Sequence, residues 1–210
     1  MLEKYQKFLI VAAHPDDDVL GCGGTIANLI KQKKIVKVIF VAEGTSCRFN
    51  NHKKFKEKID KEIEVRNNYG KKALFDLGVK KFKFYNLKCG KLNSYPIIEI
   101  AKIIENEIKE LKPDVVITHS DRDVNLDHRT VYQASLQATR PKNKNKIKCL
   151  LSFEVLSSTE WKFKKIFEPN YFYCIDKTIN KKIKALKRYK SEIEKFPHPR
   201  SVEGLKTLAK

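Results

Sequence analysis

The chain has 210 residues, enough for one domain with a sizeable core. Apolar residues make up 41% and aromatic residues 10%, which excludes a disordered protein, and the longest apolar runs fall far short of the roughly 20 residues that span a bilayer. Lys and Arg outnumber Asp and Glu by 44 to 25, a net +19, yet only seven of the 44 are Arg and the lysines are spread along the whole chain; specific phosphate and base recognition leans on Arg, so an anionic small molecule is the expected partner and nucleic acid is not.

Residues 7–13 (KFLIVAA) read as a buried strand and 20–33 as a helix. Residues 35–42 (IVKVIFVA) are a second strand, followed by a polar loop and a long helical stretch over about 55–77. A third strand covers 82–87 (FKFYNL). In 96–111, Ile97, Ile100, Ile104, Ile108 and Leu111 recur at helical spacing behind Pro96, whose missing N–H costs little at a helix start. Residues 114–119 (DVVITH) are a fourth strand, and a helix follows over about 128–139. Beyond about residue 142 the pattern weakens: 149–155 (CLLSFEV) and 171–176 (YFYCID) read as strands and 178–195 as a basic helix. Strands alternating with helices of this length imply βαβ units. The expected fold is a single α/β domain over 1–210, a three-layer α/β/α arrangement with a mostly parallel, Rossmann-like sheet.

Five cysteines (Cys22, Cys47, Cys89, Cys149 and Cys174) form no C-x-x-C pair and are odd in number, so neither a disulfide framework nor a cysteine zinc site is indicated. The N-terminus enters a strand and then acidic residues, without an apolar signal core and cleavage site. A cytoplasmic protein with no membrane partner is expected.

Ligands in open parallel sheets bind beyond the carboxyl ends of the strands. Two such ends are rich in His and Asp: Ala13-His14-Pro15-Asp16-Asp17-Asp18, and the run from His119 through Asp121, Asp123, Asn125 and Asp127 to His128. His14 and Asp17 lie three apart at a strand-to-helix turn, and His128 from the other strand end completes a two-His, one-carboxylate set that leaves positions open for water and substrate. Asp16 cannot point the same way as Asp17 and is placed to take a proton from a water polarised by the ion. Asp127, beside His128, is suited to orient a ligand or a neighbouring histidine. The bland reading of the acidic run is a helix cap, and Asp18 is given that role alone. Gly21, Gly23 and Gly24 follow the acidic cluster instead of preceding it, which argues for close helix-to-sheet packing over a nucleotide loop.

These residues resemble the LmbE-like, or PIG-L-like, family of metal-dependent N-deacetylases. The family's A-H-P-D-D-E motif stands as Ala13 to Asp18, with Asp18 in place of the commoner Glu, and its second motif ends here in Asp127-His128. The likeness continues through Arg66, SSTEW (157–161) and FPHPRS (196–201) and covers nearly the whole chain. It implies hydrolysis of an acetamide on an amino sugar or its phosphate or nucleotide conjugate. One zinc per chain is implied on His14, Asp17 and His128, with ferrous iron accepted by the same set, and Asp16 matches the base. Arg66 matches a substrate-contacting arginine; Arg48 and Arg200 lie in loops suited to an anionic substituent. Many members carry His where this chain has Asn125, which donates to an oxyanion but delivers no proton, so either His119 is the substitute proton donor or Asp16 shuttles the proton both ways. The alternatives left open are a non-catalytic sugar or nucleotide-sugar binding protein and a hydrolase of another amide. Self-association through exposed strand edges or the 157–171 loop fits either reading.

Overall fold

The computed structural model describes residues 2–141, 147–164 and 166–209. Five strands, β1 (Lys7–Ala12), β2 (Ile35–Ala42), β3 (Lys81–Leu87), β4 (Val115–Thr118) and β5 (Cys149–Ser152), form one sheet in the order β3-β2-β1-β4-β5. All four pairings are parallel, and Phe8 of β1 lies opposite Val36 of β2 and Val115 of β4. The helices are α1 (Asp17–Lys31), α2 (Lys56–Leu77), α3 (Ile97–Leu111), α4 (Leu126–Thr139), α5 (Ile179–Leu186) and α6 (Val202–Leu208).

Strand alternation sorts β1 between two cores. Phe8, Ile10 and Ala12 pack with Leu20 and Ile26 of α1, Leu74 and Leu77 of α2 and Leu186 of α5. Leu9, Val11 and Ala13 face Ile100, Ile104 and Ile108 of α3 and Val131 and Ala134 of α4. A central parallel strand is covered on both sides, which is why its sequence is an unbroken apolar run. The three-layer expectation holds. Because β1 lies between β2 and β4, chain connections leave it in opposite directions, and the crevice beyond the carboxyl ends of β1 and β4 is the topological switch point.

The second half differs from expectation in three places. Residues 171–176 are not a strand: this segment crosses α1, where Gln32 donates to the Tyr173 hydroxyl and Asn28 to the Cys174 carbonyl, so a helix side chain takes a backbone group that a sheet partner would have taken. The strand expected over 149–155 ends at Ser152, and Phe153 turns off the sheet to cover Gly21 of α1. The basic helix expected over 178–195 ends at Leu186; the chain then turns so that Tyr189 is fully buried and Arg188 reaches Asp76 of α2 at 2.6 Å. The weakening of the pattern near residue 142 falls at 142–146, outside the described residues. Among the described residues no helix is long and apolar enough to cross a membrane.

Candidate active site

The β1–α1 turn sets the site. Asp16 stands before α1 with φ 126°, a conformation that an L-residue adopts only under strain, and its carbonyl accepts the N–H groups of Val19 and Leu20. The two neighbouring carboxylates end up with different partners. Asp17 Oδ2 lies 3.3 Å from both His14 Nδ1 and His128 Nε2. Asp16 Oδ1 lies 3.1 Å from Arg66, and Oδ2 3.4 Å from Arg200. Gly44, in the loop after β2, passes between the two groups with φ 75°; a Cβ there would stand 2.7 Å from Arg66 Nε and 3.1 Å from the His14 Cβ.

His14, Asp17 and His128 are all buried and offer donor atoms within 4.8 Å of one another. The far nitrogen of each histidine is held by a carboxylate: His14 Nε2 lies 3.0 Å from Asp127, and His128 Nδ1 lies 3.0 Å from Asp123. Such bonds select the tautomer whose lone pair faces the cluster. Burial opposes charging His14, yet bonds from Asp127 and Asp17 outweigh it and raise it to about 9. His128, likewise opposed by burial, is carried up to about 10 by Asp17 and Asp123. Two imidazoles and a carboxylate thus converge in one buried pocket. The donor set therefore fits a divalent cation, and two histidines with a carboxylate suit zinc or ferrous iron alike.

Asp127, expected to orient a ligand or a neighbouring histidine, lies against His14 and not against its sequence neighbour His128. It also accepts the N–H groups of Gly90 and Leu92 at 2.6 and 3.0 Å. Asp123, which sequence reasoning did not single out, holds His128 and is in turn held by Ser158 and Thr159 at 2.5 and 2.8 Å. The only signal for it was its place in the acidic run before His128.

His119 lies at the site but not as a proton donor. It is fully buried, stacks on His128 with centroids 4.1 Å apart, and its Nε2 accepts the Ala13 N–H at 2.8 Å. Burial and the nearby His128 charge push it well below the usual histidine range, so it stays neutral behind the His128 ring. Asn125 caps α4, its Oδ1 accepting the Asp127 N–H at 2.9 Å. Asp18 is not the cap either: Asp16 holds that position, and Asp18 is buried in the first turn, where burial pushes its carboxyl up to about 8 and leaves it protonated at neutral pH.

The three arginines converge on Glu192, a residue the sequence reading passed over. It accepts from Arg66 at 2.5 Å, Arg48 at 2.7 Å and Arg200 at 3.3 Å. Arg66 is buried between Asp16 and Glu192, whereas the Arg48 side chain keeps 47% of its surface exposed. Beside them opens a cleft of about 520 Å³, lined by Phe49, Asn51, His52, Lys53, Cys89 and Lys91 among others. One wall of it, Cys89–Gly90, continues into the backbone bonded to Asp127.

This geometry accords with what the chain is similar to. The profile of the PIG-L family, described as GlcNAc-PI de-N-acetylase, matches residues 9–139. An Escherichia coli (strain K12) protein, the uncharacterized deacetylase YaiS, is 30% identical over 193 residues, covering 90% of this chain and 92% of that protein. Among solved structures, N,N'-diacetylchitobiose deacetylase from Pyrococcus horikoshii superposes with a TM-score of 0.76 at 20% identity, over 99% of this chain and 78% of its own. The 4-carboxy-2-hydroxymuconate hydratase GalB from Pseudomonas putida KT2440 does so at 0.69 and 20% identity, over 97% and 84%. At these identities the structural likenesses speak for the fold alone. The chain belongs to the PIG-L (LmbE-like) deacetylase family.

Proposed function

We propose that the protein removes the acetyl group from an N-acetylated amino sugar bearing an anionic substituent, releasing acetate, with a divalent cation on His14, Asp17 and His128. The observation that carries this reading is the division of labour between adjacent carboxylates: Asp17 faces the two histidines and Asp16 faces two guanidinium groups. When bound, the cation would polarise the amide carbonyl and make a water acidic near neutral pH. Asp16 takes the proton from the attacking water and returns it to the leaving amine. Arg66 and Arg200 fix the Asp16 carboxylate in orientation throughout. Asn125, its Oδ1 committed to the Asp127 N–H, has its amide nitrogen left to donate toward developing charge on the carbonyl oxygen. With His119 neutral and buried, the proton shuttle falls to Asp16 alone.

The anionic substituent meets Lys53 and Lys91 of the cleft lining, and the half-exposed Arg48 stands next in the chain to Cys47 of that lining; Arg66, engaged between two carboxylates, supports the site from below instead of touching substrate. The test is metal content of the purified protein together with acetate release from N-acetylglucosamine phosphates and nucleotide conjugates. Asp16→Asn should lower turnover at least about 100-fold while the bound metal stays near one per chain. Loss of metal in that variant would make Asp16 a ligand instead of a base. Metal without acetate from any of these compounds would move the reading to another amide.

A further inference from the structure

The loops on either side of the cleft carry a cysteine each. Cys47 follows β2 and Cys89 follows β3, 42 residues apart in sequence, and their sulfurs lie 3.0 Å from one another with the Cys89 thiol donating to Cys47. We propose that Cys47 and Cys89 are a peroxide-reactive pair that closes to a disulfide across the cleft, tying the loop that bears Arg48 to the loop bonded to Asp127.

The approach is built into the surrounding backbone. Glu43, buried at the end of β2, accepts the N–H groups of Thr45 and Ser46 from one loop at 2.6 and 2.9 Å and that of Cys89 from the other at 2.8 Å. Gly90 has φ 70°, and a Cβ on it would stand 3.0 Å from the Cys47 Cβ, so the loops come this close only with glycine there. A disulfide needs its sulfurs at about 2.0 Å, a further closing of about 1 Å that side-chain rotation supplies. Cys47 is exposed and Cys89 buried, so an oxidant meets one sulfur while the other waits behind it. Cys22 in α1, Cys149 in β5 and Cys174 on the segment across α1 belong to other parts of the fold.

The Cys47 sulfur, its proton lost to solvent, attacks one oxygen of hydrogen peroxide; an S–O bond forms, the O–O bond breaks and hydroxide leaves, to be protonated to water. The sulfur is oxidised by two electrons to a sulfenic acid. The Cys89 sulfur then attacks it, the S–S bond forms, the S–O bond breaks, and the Cys89 proton leaves with the hydroxyl as a second water. A thiol reductant reverses the change by exchange. Because Gly90 and Leu92 donate to Asp127, which orients His14, the cross-link bears on the floor of the cleft as well as its mouth.

The full chain, first reduced and then treated with hydrogen peroxide, is assayed for free thiols and mapped by peptide mass spectrometry. The expected result is loss of two thiols and two hydrogens per chain, one intramolecular Cys47–Cys89 link, and recovery with dithiothreitol. Cys89→Ser should stop at a sulfenic acid on Cys47, trapped by dimedone, and proteolysis within 48–55 should slow several-fold in the oxidised wild type alone. Oxidation of Cys47 to sulfinate with the Cys89 thiol intact would overturn the proposal. So would a link to Cys174 or between chains, or equal thiol loss in Cys47→Ser. None of these readouts depends on acetate release.

Discussion

His14 and His128 are each gripped from behind by an aspartate, and the two grips come from one acidic run: Asp123 holds His128 and Asp127 holds His14. Outer partners of this kind are worth about 10- to 100-fold in metal affinity. Asp123→Asn and Asp127→Asn should each weaken metal binding by that order, measured by competition with a chromogenic chelator; unchanged affinity would show that packing alone orients the rings. A second buried group acts on stability. Burial pushes Lys182, under α1, down to about 8, although Cys22 and Glu154 nearby favour its charge. The unfolded chain keeps that proton to about pH 10.4, so between these values it binds more protons than the folded state, and stability rises with pH across the window. Lys182→Met should therefore raise the unfolding free energy near pH 7 by roughly 1–3 kcal/mol and flatten that rise. Urea unfolding near pH 7 and near pH 9 reads both effects, and a destabilised variant would mean that the buried ammonium contributes favourably to the fold.

At the scale of the element, α1 carries the site because it packs closely on its neighbours. It bends at Cys22, and its glycines face side chains from the second half of the chain: a Cβ on Gly21 would fall within the Phe153 ring, and one on Gly24 would stand 2.6 Å from Ile175. The expectation of close helix-to-sheet packing is corrected: these glycines meet Phe153, Ile175 and Lys182 of the chain beyond β5 instead of the sheet. Gly21→Ala should cost roughly 1–3 kcal/mol, since Phe153 must move and it also lies against His119 with ring centroids 4.8 Å apart. A thermal melt measures the cost, and an unchanged melting temperature would mean that the ring has room to swing away. The recurring apolar positions of α3 and the continuous runs of β1 and β2 were legible because both report burial through short-range periodicity. The segment 171–176 has strand composition and alternation but lies across a helix, with Tyr171, Tyr173 and Ile175 half-buried and Phe172 79% exposed; alternation records that one face is packed, not against what.

Over the whole molecule, the last part of the chain closes the site begun by the first. Glu192 takes Arg48 and Arg66 from the N-terminal half and Arg200 from its own, and Arg200 also reaches Asp16 and the Ser157 hydroxyl. Three guanidinium groups thus meet two buried carboxylates, Asp16 and Glu192. Glu192→Gln should destabilise the fold by roughly 3 kcal/mol, because breaking a buried ion pair leaves its partner charged and unpaired. It should also slow turnover through Asp16, with metal content unchanged. Denaturant unfolding and steady-state kinetics test the two halves, and full stability in the variant would show that solvent already shares the charge.

The sequence alone determined the parallel α/β core, the donor trio of His14, Asp17 and His128 and the separate direction of Asp16. These features rest on local spacing: alternation along a strand, one turn between His14 and Asp17, and strand ends that a parallel sheet must place on one edge. Only the tertiary structure decided which residues stand behind that trio. Asp123 rather than an adjacent aspartate on His128, His119 turned inward to Ala13, Glu192 gathering three arginines, and the meeting of Cys47 with Cys89 all depend on contacts between distant parts of the chain. A hydrogen bond or ion pair is set by a few tenths of an ångström and by angle, whereas residue type and spacing specify only which groups are available to make one.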